Sequence, residues 1–248
     1  MMNFNNKYAK IIGVSEDGIK NLEYIVNYKN NKEILDTEKI SINQDIDKDY
    51  AAKILDEIEI VFITYNSKEQ RTCDIVKAIN YMAKERRIVS IGIDVNQDEK
   101  KVEFDFNAEF VMRDNNSTLI CELIDMMVES VSEECTINID LTDLKEILSK
   151  EKGLAHGFVE SDNSTSKEEL VDMLFDTIIK TNDELTKKKG IVFISLGNEY
   201  CKIEEVLSIL NEVLENIQGK IDGKCDLIFT LALNENLNDK IRMGILYN

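Results

Sequence analysis

The sequence predicts an α/β protein of two domains joined by one central helix: a parallel-sheet N-terminal domain and an α+β C-terminal domain. Three observations carry this. Up to about residue 95, short Val- and Ile-rich runs alternate with helix-period segments, the pattern of strands covered by helices on both faces. The segment "STLICELIDMMVESVSEE", residues 117–134, is apolar on most sides, as a helix between two domains must be. Beyond residue 135 the order changes and ends on two consecutive strand patterns.

In order, "YAKIIGV" reads as a strand because five of its seven residues are apolar, and "EDGIKNLEYIVNY" reads as a helix by its Ile19, Leu22 and Ile25 spacing. "EKISI" is a strand, "DKDYAAKILDEI" a helix, "EIVFITY" a buried strand. A long helix to about Arg86 leads to the strand "RIVSIGIDV". "KVEFDFN" and "AEFVMR" alternate with period two and are expected to form a short strand pair. In the central helix, Leu119, Leu123, Met126 or Met127 and Val131 fall near helical spacing. After the connector "CTINIDLTD" come helix "LKEILSK", strand "GLAHGFVES", helix "KEELVDMLFDTIIKT", strand "GIVFISLG", helix "KIEEVLSILNEVLENI", and strands "CDLIFTLALN" and "KIRMGILYN". The expected domains are residues 1–114, a connecting helix 115–134, and 135–248. "STSKEEL", Ser164 to Leu170, is a capping box.

At 248 residues, 43% apolar and 31% charged, the chain reads as a soluble globular protein. Its formal charge of −18 argues against nucleic acid and against anionic membrane surfaces, both of which draw affinity from Lys and Arg. The N-terminal residues contain no apolar core and no run is long enough to span a bilayer, so a cytoplasmic location without direct membrane binding is expected. Cys73, Cys121, Cys135, Cys201 and Cys225 are odd in number and widely spaced, which suits buried thiols; no metal site follows. There is no proline, so the turns rest on Gly, Asn and Asp.

Several segments, in this order, resemble the tubulin/FtsZ family of cytoskeletal GTPases. "AKIIGV" at Ala9 to Val14 is similar to its first strand and "VFIT" at Val61 to Thr64 to its phosphate-loop strand. "INIDLTDLKEIL" at Ile137 to Leu148 resembles the inter-domain catalytic loop, and "KGIVFISLGNEYCKIEEVLSILNEV" a later strand–helix block. "NENLNDKIR" within the last segment matches the closing signature. The resemblance implies a Rossmann-like first domain, a tubulin/FtsZ-like whole, and assembly with itself or with a conventional FtsZ.

The departures fall on the nucleotide. In place of the family's glycine-rich phosphate loop stand Ser67, Lys68, Glu69, Gln70, Arg71, Thr72 and Cys73, and the first strand opens into Gly13, Val14, Ser15, Glu16, Asp17 and Gly18. Nothing near Asn116 to Thr118 matches the base-contacting residues, and the segment before the central helix is shortened. Glycines let backbone N–H groups converge on phosphate oxygens, whereas Cβ atoms obstruct that approach. Losing three charge-assisted bonds, at roughly 1.5–3 kcal/mol each, removes on the order of a thousandfold or more in affinity. Glu16, Asp17 and Glu69 would add repulsion, with Lys68 and Arg71 a partial offset. No cofactor is therefore expected.

The resemblance implies that Asn138, Asp140 and Asp143, with Lys145 beside them, form an interface that acts on the nucleotide of the next subunit, Asp140 and Asp143 positioning the attacking water in trans. The residues alone equally suit helix capping. His156, the only histidine, has no nucleophile arranged around it and reads as structural; the Met126/Met127 pair reads as core, and the acids around Glu133/Glu134 and Glu160/Asp162 as solvated surface. The leading expectation is a non-enzymatic filament component or regulator acting through protein–protein contacts without ordinary GTP binding. The alternatives are a GTPase at a shared site and a Rossmann-like domain binding another small ligand. The sequence stops directly after its last strand pattern, which implies no tail for reaching a membrane.

Overall fold

The computed structural model describes residues 8–28, 34–96, 102–132, 135–148, 153–180, 185, 189–221 and 225–248. They belong to two compact units, Met1–Cys121 and Glu122–Asn248. The first holds β1 (Ala9–Val14), α1 (Ser15–Asn27), β2 (Leu35–Ile40), α2 (Lys48–Ile54), β3 (Ile60–Tyr65), α3 (Gln70–Glu85), β4 (Val89–Asp94) and β5 (Ala108–Val111). Its sheet runs β2-β1-β3-β4-β5 and every pairing is parallel, the doubly wound arrangement expected. β1, β3 and β4 are buried at every residue, which is why they read as unbroken apolar runs instead of alternating ones.

All three glycines of this unit are consumed by close packing. A Cβ on Gly18 would sit 2.3 Å from the Thr64 carbonyl oxygen, and one on Gly13 would sit 2.9 Å from the Gly18 carbonyl oxygen, so α1 can cross β1 and β3 only with glycine at both places. A Cβ on Gly92 would meet the Phe106 ring at 2.5 Å.

The expected strand pair at residues 101–113 is corrected. Residues 102–107 form no strand, and β5 pairs instead with β4, in parallel. The alternation in "KVEFDFN" has another cause: Phe104 and Phe106 both turn inward onto Tyr65, with ring centroids 5.0 and 5.9 Å away. β2 also lies earlier than "EKISI", at Leu35–Ile40, because its register against β1 starts at Leu35 opposite Ala9.

α4 (Ser117–Ser130) leads into the second unit, which holds α5 (Leu141–Ile147), β6 (Ala155–Asp162), α6 (Lys167–Asp176), β7 (Ile179–Lys180), β8 (Lys189–Leu196), α7 (Val206–Lys220), β9 (Asp226–Leu233) and β10 (Lys240–Tyr247). The sheet order is β7-β6-β10-β8-β9, antiparallel except for β8 and β9. Met126 and Leu123 of α4 lie against Gly244 of β10, which bears out the Met pair's core role for Met126; Met127 is also buried. The expected helix over "KEELVDMLFDTIIKT" ends early, at Asp176. The Thr177 hydroxyl donates to the Leu174 carbonyl and accepts from the Phe158 amide, freeing Ile179 and Lys180 to pair with β6. The helix expected at "LKEILSK" begins three residues sooner, at Leu141; Ser149, Lys150, Glu133 and Glu134 lie outside the described residues. Ser166 caps α6 by accepting from the Glu169 amide at 3.2 Å, within the expected capping segment.

Candidate functional site

A parallel sheet ordered β2-β1-β3-β4-β5 reverses direction of growth between β1 and β3, and a crevice opens beyond their carboxyl ends. Here it is an open cleft of about 390 Å³ lined by Asp17, Lys20, Asn21 and Tyr24 of α1, Asn66 after β3 and Val95 after β4. The turn from β1 into α1 passes through Ser15 at φ 67°, a left-handed conformation that glycine adopts without strain and serine does not.

The polar groups around this crevice are largely engaged with one another. Asn66 donates from Nδ2 to Asp17 Oδ2 at 2.7 Å, and its Oδ1 accepts the Lys68 amide at 3.1 Å. The Ser67 amide donates to Asp94 Oδ1 at 3.1 Å, and the Asn96 amide to the same oxygen at 2.9 Å. Asn21 Nδ2 donates to Thr64 Oγ1 at 2.7 Å. Glu69 accepts from the Thr72 hydroxyl at the start of α3, and Glu16 pairs with Lys20 on the surface. Arg71 points away from a ligand role: its guanidinium donates to the carbonyls of Ile42 and Gln44. Asn116 spends its amide locally, accepting the Arg113 amide and donating to the Val111 carbonyl.

Asn138, Asp140, Asp143 and Lys145 lie together in the second unit. Cys135 to Asp140 are pinned by reciprocal backbone bonds between Ile137 and Leu231, both 3.0 Å, by the Ile139 amide on the Ser130 carbonyl, and by the Cys135 thiol donating to Leu231 and Ile137 carbonyls. Asn138, Asp140 and Asp143 are exposed on this segment; Lys145, in the last turn of α5, is half-buried. Asp140 caps α5, its Oδ1 accepting the Thr142 amide at 2.6 Å, and that bond holds its carboxyl below the usual aspartate value. Capping by Asp140 is therefore present, and it leaves the Asp143 side chain facing solvent in the first turn.

The comparisons with known proteins agree with this architecture. Cell division protein FtsZ 1 of Methanocaldococcus jannaschii is 26% identical over 118 residues, 47% of this chain and 31% of that relative, so the match spans under a third of its length. An FtsZ mutant from the same organism superposes with a TM-score of 0.65 at 13% identity, covering 97% of this chain and 90% of that one. CetZ from Methanosaeta thermophila gives 0.64 at 10% identity over 96% and 86%. The chain is tubulin/FtsZ-like in fold. An empty FtsZ dimer from Methanocaldococcus jannaschii superposes at 0.61 with 12% identity, covering 99% and 89%. No protein-family model matches the chain.

Within this tubulin/FtsZ-like frame, one cluster was not anticipated. Arg242 of β10, inside the closing "NENLNDKIR" segment, is buried and reaches Asp125 Oδ2 at 2.7 Å, Glu129 Oε2 at 3.3 Å and Glu122 Oε2 at 3.4 Å, all on α4. Ser195 of β8 donates to Glu129 as well. Burial pushes the Glu129 carboxyl up, while Ser195 and Arg242 oppose it; burial lowers the Arg242 value, but Asp125 and Glu129 outweigh it and raise it. The signal was the i, i+3, i+7 spacing of three acids on an otherwise apolar helix, which demands a buried cation. His156 is buried in β6, and burial pushes it down to about 4, so it is neutral at pH 7. Among the described residues no group of His, Cys, Asp and Glu has the geometry of a metal site, and no helix is long and apolar enough to cross a membrane.

Proposed function

We propose that this chain is an FtsZ-like filament component or regulator that works through contacts between protein chains and does not bind GTP in the ordinary way. The observation that carries the reading is the turn after β3: the Ser67 and Lys68 amides are already hydrogen-bonded to Asp94 and Asn66. A triphosphate would have to displace bonds that the protein makes with itself, and Asp17 would face it across the cleft. Gly13 and Gly18 serve the packing of α1 on the sheet, and Gly92 makes room for the Phe106 ring.

Contact with another chain is supported at the end of the second unit where β9 finishes. β8 and β9 run parallel, so α7, which connects them, starts at the end of the sheet where β9 finishes. That end carries Ile203, 84% exposed, Leu207, 68%, and Leu233, 54%, whereas the chain leaving the antiparallel Ile137–Leu231 bridge runs toward the start of β8, where Glu146 of α5 pairs with Lys189. Apolar side chains this exposed at one end of a sheet suit a covered face. The FtsZ dimer among the structural matches makes self-assembly the first partner to test.

Calorimetry of the purified protein with magnesium and GTP is expected to show no micromolar site, and light scattering to show any assembly unchanged by GTP. A one-to-one micromolar isotherm, or scattering that rises only with GTP, overturns the reading. The second reading, a GTPase site completed in trans, is favoured by the pinned and exposed Asn138, Asp140 and Asp143. GTP turnover by a partner FtsZ that rises on adding this chain, and not on adding the Asp143→Ala variant, would select it.

A further inference from the structure

We propose that the Asp94 carboxylate is a built-in ligand of the turn after β3, filling the position that an external oxyanion takes in phosphate-binding turns. The inference rests on the reading of that turn as closed to GTP. One oxygen, Oδ1, accepts two backbone amides, Ser67 at 3.1 Å and Asn96 at 2.9 Å. Convergence of amides on a single anionic oxygen is how backbone cradles hold phosphate and carboxylate ions. The arrangement is closed by Asn96 Nδ2 donating to Ser67 Oγ at 2.9 Å and by the Cys73 thiol donating to the Ser67 carbonyl at 3.4 Å.

Solvent is excluded from it: Asp94 is 3% exposed, Ser67 5% and Asn96 5%. Asp94 Oδ1 is thus held by two backbone amides, one of them from the turn 27 residues earlier in the chain. The place is also that of a ligand. Asp94 ends β4 and the turn leaves β3, beyond the carboxyl end of the sheet, where open parallel sheets of this order bind their ligands. The turn is thus held by the chain's own carboxylate, and the cradle is unavailable to an external anion. Truncating the side chain empties it for a small oxyanion of matching chemistry.

The test is chemical rescue. Asp94→Ala should melt several degrees below the wild type, and 100 mM formate or acetate should restore part of that loss relative to sodium chloride of equal ionic strength. Neither the wild type nor Asp94→Asn, whose side chain still fills the space, should respond. Rescue absent from a folded Asp94→Ala, or equal in the wild type, overturns the proposal. If Asp94→Ala does not fold, amide exchange on the wild type decides: protection of Ser67 and Asn96 by a hundredfold or more supports it, and exchange at the rate of an open loop overturns it. GTP calorimetry on the wild type stays a separate readout, since GTP binding with those amides still protected would defeat the proposed function and leave this inference standing.

Discussion

At the scale of single residues, the environments of His156 and Ser15 lead to opposite kinds of test. His156 carries its value near 4 when folded and near 6.5 when unfolded, so between those limits the unfolded chain binds more protons. Stability from this residue is full above about pH 6.5 and is lost as pH falls toward 4, a difference of about 2 kcal/mol between pH 7 and pH 5. Glu129, whose folded value is raised by burial, slopes the other way, favouring the fold as pH falls. The clean measurement is therefore the difference between the wild type and His156→Leu in urea at the two pH values. That difference should shrink on acidification, and a constant difference would contradict the assignment. Ser15 is the reverse case, a side chain in a backbone conformation that disfavours it. Left-handed strain of about 1–2 kcal/mol, less the entropy that glycine adds to the unfolded chain, leaves Ser15→Gly more stable by roughly 0.5–1 kcal/mol. A lower urea midpoint for Ser15→Gly would show that the serine side chain earns its place there. Neither residue's role was fully visible in the sequence: a lone histidine in a strand pattern reads correctly as structural, but the sign of φ at Ser15 depends on how α1 is pressed against β3.

At the scale of elements, the strands and helices were legible wherever one physical signal dominated. The fully buried strands β1, β3 and β4 announce themselves as apolar runs, and the start of α6 by a serine three residues before a glutamate. What was illegible was set by distant chain. "KVEFDFN" alternates because two rings seek Tyr65, and α6 stops at Asp176 because β6 offers Ile179 a partner. Asp94 looks like an ordinary acid at the end of a strand until the Ser67 amide, 27 residues earlier, is found on it. The clearest case is the α4–β10 clamp, whose partners are 113 to 120 residues apart. Removing its cation leaves three acids with buried or half-buried carboxylates facing one another. Arg242→Met, which keeps most of the volume, should cost about 3–5 kcal/mol by chemical denaturation. Adding Glu122→Gln to that variant should recover part of the loss. If the double variant is no more stable than Arg242→Met, the clamp's energy comes from packing and not from charge.

At the scale of the whole molecule, the argument turns on polarity. A head-to-tail filament needs two different faces on each subunit, and a chain that keeps only one of them ends growth instead of carrying it on. The loop end of the second unit keeps Asn138, Asp140 and Asp143 exposed. The crevice of the first unit has its turn amides occupied by Asn66 and Asp94. Against a conventional FtsZ, this chain is therefore expected to dock by its loop end onto the partner's nucleotide-bearing face and act as a one-sided cap, effective well below one copy per subunit. Asp140→Ala with Asp143→Ala should leave docking partly intact while abolishing hydrolysis at the mixed junction, since these acids are asked for chemistry more than for adhesion. Leu207→Glu with Ile203→Lys, beyond the other end of β8, should leave docking through the loop unchanged. Burying either side chain is worth about 1.5–3 kcal/mol, so self-association through that other end should weaken tenfold or more. Pull-downs against the host's FtsZ with crosslinking and mass spectrometry decide the direction. Links from residues 138–145 are expected, and links from residues 68–73 instead, or no binding at all, would reject the cap.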